Sequence, residues 1–341
     1  MKTIAMCALL AALAFGLLPG NRDEAAAPDE GLVLLVETGE EAEAPRKAAS
    51  ARQNQSEKAA VQTAPDAQTV RLLDGGAVTA LSMEDYLTGV LLSEMPADFE
   101  PEARKAQAVA ARTFSCRKLL QPKHENADVC AEASCCQAWT SREQLRQKYG
   151  ASFDAVWSAA REAVRQTAGQ VLTYDGQLID AVYFSCSGGA TEAAVAVWGT
   201  DVPYLQAVES PGEEAAPRFS SRAVFSPEEF SQRLMQENPA VQLNGSPDTW
   251  LGETTRSAGG GAATCSIGGV SFSGTQLRRM FGLNSTRLTL SYQDGDFVFD
   301  VTGFGHRVGM SQYGAQTMAR LGFSYQTILQ YYYQGAEVER Q

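Results

Sequence analysis

Gly303-Phe304-Gly305-His306-Arg307-Val308-Gly309-Met310-Ser311-Gln312-Tyr313-Gly314-Ala315 is the most informative stretch of this chain. Four glycines are interleaved with side chains that hydrogen-bond: His306, Arg307, Ser311, Gln312 and Tyr313. A strand-like run, Phe297 to Val301, precedes it, and a helix-like run from Gln312 to Leu321 follows. Glycine lets a backbone turn freely and lets a ligand come close. A strand end that opens through glycines onto a helix start is a common place for a site. A tight turn with a helix cap at Ser311 is the other reading of the same pattern.

Outward from this tract, the chain divides by composition. It has 341 residues, 44% of them hydrophobic, and a formal charge of −12. That length holds one large domain or two small ones plus tails. The negative balance argues against a nucleic-acid partner and against docking by charge on an anionic membrane. Neutral carbohydrate remains open. At the start, one lysine precedes an apolar run from Thr3 to Leu18, closed by Pro19-Gly20-Asn21-Arg22. The run is short for a spanning helix and long for a signal core. No clean cleavage site follows, so residues 1–20 read as an uncleaved anchor. A signal peptide and a buried helix are the alternatives. Residues 21–68 are rich in Ala, Glu, Gln and Pro and lack aromatics. Such a segment cannot bury enough surface to fold and reads as a flexible linker.

The folded part is expected over 69–341. A hairpin should turn at Asp74-Gly75-Gly76. Ser82 should cap a helix ending near Glu94, before Pro96. Pro101 should open an Ala-rich helix to about Leu120. Helices near 142–149 and 151–167 follow a Cys-rich loop. Strands are expected at 170–174, 178–185 and 204–208, then a helix near 226–236. A hairpin should turn at Asp294-Gly295 between 287–292 and 297–302. Helices near 311–321 and 324–332 close the chain. Helices early and strands late make the class α+β: a helical part packed on a mixed or antiparallel β-rich part, with a substrate groove.

Several residues carry possible chemistry. Glu94 ends an apolar helix, Val90-Leu91-Leu92-Ser93-Glu94-Met95-Pro96. Apolar neighbours and the negative end of the helix dipole both favour its protonated form. A general acid needs this, although position alone favours an ordinary exposed helix-end glutamate. Arg112, between Ala111 and Thr113, needs a partner on so apolar a face; a structural salt bridge is one option. His124, Cys130, Cys135 and Cys136 lie within thirteen residues. They are ligands that zinc prefers, and four would close a structural site. A disulfide is the alternative outside the cytoplasm. Ser185, Ser187, Gly188, Gly189 and Thr191 suit a loop presenting amides and hydroxyls to sugars. A serine nucleophile is discounted, because no Gly-x-Ser-x-Gly elbow is present.

Three tracts together resemble the stage II sporulation protein D family: Ser93-Glu94-Met95-Pro96 with Ala106 to Thr113, Phe184 to Glu192, and Gly303 to Ala315. They stand in the family's order and span about residues 70 to 338. The resemblance implies a lytic transglycosylase that cuts peptidoglycan between N-acetylmuramic acid and N-acetylglucosamine during sporulation engulfment. Glu94 matches the family's catalytic acid/base, and Arg112 would belong to the substrate groove. The Gly303–Ala315 tract would line the same groove as Glu94, with His306, Gln312 and Tyr313 binding substrate and Gly309 leaving it room. The resemblance favours a structural zinc, since members carry a His–Cys–His–Cys set; here Cys135 stands in the third place. It implies peptide-stripped glycan strands as substrate and a sporulation amidase (stage II sporulation protein P) and a membrane protein (stage II sporulation protein M) as partners. The location implied is an extracytoplasmic domain on the mother-cell membrane, facing the forespore. Relatives of the fold that enhance an amidase without cutting sugar supply the alternative function.

Overall fold

The computed structural model describes residues 69–341, so the expected anchor at 1–20 and linker at 21–68 lie outside the described residues. β1 (Thr69–Asp74) and β2 (Ala77–Ser82) pair antiparallel, with Asp74 opposite Ala77. Gly75 and Gly76 both take positive φ, +53° and +86°, as the tight two-residue turn requires. Ser82 caps α1 (Met83–Glu94) by accepting from the Asp85 N–H. α2 (Pro101–Leu120) opens on its proline. β3 (Val129–Cys130) runs parallel to β1, so the sheet order is β2-β1-β3. α3 (Arg142–Tyr149), α4 (Phe153–Gln166) and β4 (Gln170–Tyr174) follow.

α1, α2 and α4 share one core with the C-terminal helices α8 (Gln312–Arg320) and α9 (Tyr325–Tyr332). α2 is its axis: Ala103, Ala106, Ala108, Ala110 and Ala111 are all buried. Their small side chains let neighbouring helices approach closely. β16 (Glu337–Arg340) pairs antiparallel with β4, tying the C-terminus to this body.

Ser220 to Thr302 builds a second, separate core. β9 (Ser220–Phe225) pairs with β14 (Asp296–Thr302), which pairs with β13 (Arg287–Gln293). A further antiparallel sheet comprises β10 (Leu251–Arg256), β11 (Ala262–Ile267) and β12 (Val270–Ser273). α6 (Pro227–Glu237) and α7 (Gly274–Phe281) cover them. Phe230, Phe281, Phe297 and Phe299 are its centre; the Phe230 and Phe297 rings stack at 3.8 Å. The architecture is α+β, as the sequence implies.

The strand expected at 178–185 is broken into β5 (Gln177–Leu178) and β6 (Tyr183–Phe184). Between them the Val182 N–H turns back to the Asp180 carbonyl, and Arg117 takes the Leu178 carbonyl. The strand expected at 204–208 is absent: Leu205 N–H closes a turn onto Val202. The short pair β7 (Gly189–Ala190) and β8 (Glu209–Ser210) lies nearby instead. α5 (Ala194–Trp198) lies between β7 and β8 in the chain. The chain leaves the first body after β8 and returns through 303–309. There β15 (Met310–Ser311) pairs parallel with β6.

Candidate active site

Glu94 stands at the last turn of α1 with its carboxyl turned into the protein. A loop that runs along α1 supplies its neighbours. Ala138 N–H donates to Glu94 Oε1 at 2.7 Å. Trp139 lies where Gly89 lacks a side chain, and Ser93 meets the Thr140 hydroxyl at 2.8 Å. From the other side come Tyr183 of β6 and Gln312, the first residue of α8. The parallel pairing of β6 with β15 brings these two together. The Gln312 Nε2 is buried and meets no acceptor at bonding geometry, so its amide acts on the carboxyl as a nearby dipole.

Burial pushes the Glu94 pKa up to about 7. The Ala138 N–H, Gln312 and Tyr183 act in the opposite direction and only partly offset the loss of water. The carboxyl therefore keeps its proton to much higher pH than an ordinary glutamate. Behind it, Tyr183 Oη donates to Gln137 Oε1 at 2.8 Å. Gln137 Nε2 meets Tyr86 and Ser115 at 3.2 and 3.0 Å. Gln137 is buried, so these bonds fix which end of its amide faces Tyr183.

Gln137 and Ala138 directly follow Cys136, one of four candidate metal ligands. The ligand atoms of His124, Cys130, Cys135 and Cys136 all lie within 4.8 Å of one another. His124 Nε2 is 3.7 Å from Cys135 Sγ and 3.6 Å from Cys136 Sγ. Ligands about 2.0–2.3 Å from a tetrahedral zinc stand about 3.5–3.8 Å apart, so this donor set fits the ion. All four are protein ligands, so a bound ion would have no open position. None of the described cysteines is in a disulfide.

The remaining expected residues divide. Tyr313 is half-buried with its ring edge-on to Phe99 at 5.0 Å, beside the loop that follows α1. Its N–H donates to the Ser185 carbonyl at 3.0 Å. Ser185 is half-buried and also receives the Ser311 hydroxyl at 3.3 Å. Arg112 does not line a groove. It is wholly buried, and its guanidinium donates to the Val164 carbonyl at 2.9 Å and the Gln170 carbonyl at 3.3 Å. It closes the carbonyl end of α4, where a cation is favoured.

The loop expected to offer groups to sugar is turned inward. Ser187 and Thr191 are fully buried. Ser187 donates through its N–H and hydroxyl to Glu213, and Thr191 accepts the Val208 N–H at 2.9 Å. Gly188 has φ +75° and no room for a side chain against Thr302 and Gly303. A buried cluster explains the folding inward: Glu213 also accepts from Ser210, which meets Tyr332 at 2.6 Å. Sequence reading did not identify Glu213, because Ser187 and Ser311, two of the groups around it, come from distant segments.

His306 is held by contacts within the fold. Its Nδ1 accepts the Val308 N–H at 3.1 Å, and its other nitrogen faces the Tyr183 backbone. Its ring packs on Phe184 at 5.6 Å and Trp198 at 5.5 Å. Side chains alternate along a strand, so Phe184 and His306 lie on the face of β6 opposite Tyr183 and Glu94. Burial, aided by Arg278, pushes its pKa down to about 4, so it is neutral. Gly309 makes room for the Val182 carbonyl rather than for a ligand. Arg307, at φ +68°, is the tract's clamp. Its guanidinium donates to the Ser187, Ala190 and Gly259 carbonyls and pairs with Glu192 at 3.0 Å.

Comparison with known proteins identifies the family. A family model described as Stage II sporulation protein matches residues 74–174. The chain is 36% identical over 300 residues to Stage II sporulation protein D of Bacillus subtilis (strain 168), covering 83% of this chain and 85% of that one. It is 38% identical over 264 residues to the protein of that name from Bacillus amyloliquefaciens, covering 76% and 75%. The Amidase enhancer of Bacillus subtilis (strain 168) is 30% identical over 301 residues, 73% of this chain but 39% of that one. The chain belongs to the stage II sporulation protein D family.

Proposed function

We propose that this protein is a peptidoglycan lytic transglycosylase acting on peptide-stripped glycan strands in sporulation engulfment. The observation that carries the reading is one carboxyl with its pKa raised to about 7, held between the Ala138 N–H, Tyr183 and Gln312 of the Gly303–Ala315 tract. Glu94, protonated, gives its proton to the oxygen between N-acetylmuramic acid and N-acetylglucosamine. The carboxylate then takes the proton of the muramic C6 hydroxyl as that oxygen attacks the anomeric carbon. An anhydro ring forms and no water is consumed. Hydrolysis by two carboxylates would need a second acid beside the first. Among the described residues, the groups that act on Glu94 are a backbone N–H, an amide and a phenol. Tyr183 has one proton to donate. It serves Gln137 while Glu94 is protonated, and can turn to the carboxylate once Glu94 has given its proton up.

His124, Cys130, Cys135 and Cys136 would hold a structural zinc that fixes the loop carrying Gln137 and Ala138. Residues 1–20 would anchor the domain outside the cytoplasm, on the mother-cell membrane facing the forespore. Stage II sporulation protein P would supply the stripped strands, and stage II sporulation protein M would be the membrane partner. The likeness to an amidase enhancer supports a second reading, a wall-binding protein that does not cut. Mass spectrometry of digested, peptide-stripped glycan separates them. Anhydro-muramic ends are expected from the native chain, and at least about 100-fold fewer from Glu94→Gln, the scale of a general acid's contribution. Reducing ends with added water, or no cleavage, would reject the lyase.

A further inference from the structure

The second body carries a charged cavity that the reaction at Glu94 does not use. It has a volume of about 620 Å³ and is open to solvent. Arg222 of β9, Arg256 of β10 and Arg287 of β13 line it, against one carboxylate, Asp300 of β14. Three guanidinium groups around one space are unexpected in a chain with a formal charge of −12. They are not used up by one another or by Asp300. Arg222 Nε is 3.8 Å from Asp300, and its Nη2 meets Gln293 at 3.2 Å. Arg256 Nη1 donates to the Leu288 carbonyl at 2.6 Å, and Arg287 Nη1 is 3.5 Å from the Gly259 carbonyl. Each guanidinium has five N–H donors, so these contacts aim the groups and leave donors over. Arg287 passes over Gly189 and Gly260, where an added methyl would sit 3.4 and 3.3 Å from its Nη1. The cavity thus adjoins the inward-folded Ser187–Thr191 loop. Thr302, at its edge, leads directly into the Gly303–Ala315 tract, which carries Gln312 beside Glu94.

A fork of N–H groups matches a carboxylate in shape and charge. A muramic residue without its peptide exposes one, the lactyl carboxylate; a peptide-bearing residue has it tied up as an amide. We propose that the Arg222–Arg256–Arg287 cavity binds lactyl carboxylates of peptide-free muramic residues, an inference that rests on the glycan substrate proposed above. The cavity would then select stripped strands at a distance from the cutting site.

Binding is measured with the full chain carrying Glu94→Gln, so that strands are not consumed. The probes are peptide-stripped glycan strands and the same strands with the lactyl carboxylates converted to methylamides. Stripped strands are expected to bind roughly tenfold tighter than methylamide strands, with the difference shrinking as salt is added. Arg222→Gln with Arg256→Gln should abolish that difference and leave methylamide binding unchanged. The ligand-side comparison needs no arginine change, so it stands even if the double variant is unstable. Equal binding of the two strands, no binding of either, or a preference for a teichoic-acid phosphate polymer overturns the inference. Cleavage by the native chain is scored separately. Cleavage with no carboxylate preference removes this inference and leaves the lyase. Arginine-dependent binding without cleavage does the reverse.

Discussion

A carboxyl with a pKa near 7 is both a catalytic acid and a pH-dependent cost to folding. Glu94 is raised from an ordinary 4.5 to about 7, chiefly by burial. Between those values the folded state holds more protons than the unfolded state, so this group lowers stability as pH rises. Glu94→Gln removes that loss. Its unfolding free energy should fall less than that of the native chain between pH 5 and 8, by on the order of 2 kcal/mol, as denaturant unfolding would measure. Cleavage per encounter should decline above about pH 7, where the acid form is depleted. Tyr183 helps to hold the Glu94 pKa down. Tyr183→Phe should therefore move that decline to higher pH; a pH profile of kcat/KM reads it, and an unchanged profile would remove Tyr183 from the site.

Among elements, the loop between α2 and α3 has the most to lose. It has little regular structure beyond β3, yet it positions both the Ala138 N–H and Gln137. A metal held by four of its side chains would supply the order that a core does not. Cys136→Ser should lower bound zinc from about one ion per chain and lower the melting temperature with it, because structural metal binding is folding free energy. Elemental analysis with thermal melts checks both. No zinc, or a disulfide within the cluster, would reject the metal. Other elements were legible because local signals agree with their surroundings. Ser82, Pro101, Ser226 and Ser311 mark helix starts where the sequence implies them, and the Asp294-Gly295 turn closes its hairpin. The run at 178–185 misled because its apolar residues serve different neighbours. Phe184 packs on His306, while Tyr183 turns to Gln137.

For the molecule as a whole, one buried ion pair joins the chain's return to what it returns to. Arg307 is fully buried and gathers carbonyls from the Ser187–Ala190 loop and from Gly259, with Glu192 as its counter-charge. Arg307→Ala would leave Glu192 buried and unpaired, at a cost of about 3–5 kcal/mol. Denaturant unfolding should show this loss, and Glu192→Gln in the same chain should recover part of it. If Arg307→Ala were neutral, the clamp would be ornamental.

The sequence by itself determined the helix starts, the two tight hairpins, the α+β class, the family and the ligand types of the metal candidate. Each depends on residue type at short spacing, where capping, turn geometry and ligand chemistry are local. It also singled out Glu94, although burial had to come from the fold. Tertiary structure alone decided which motif residues face the carboxyl. Gln312 does and His306 does not, although six residues separate them, because β15 pairs parallel with β6 and puts them on different sides of that strand. Arg112, Ser187, Thr191 and Arg307 carry hydrogen-bonding groups that suit a ligand. The fold spends those groups on its own buried carbonyls and carboxylates, since a buried polar group needs a partner and the nearest ones are in the chain itself.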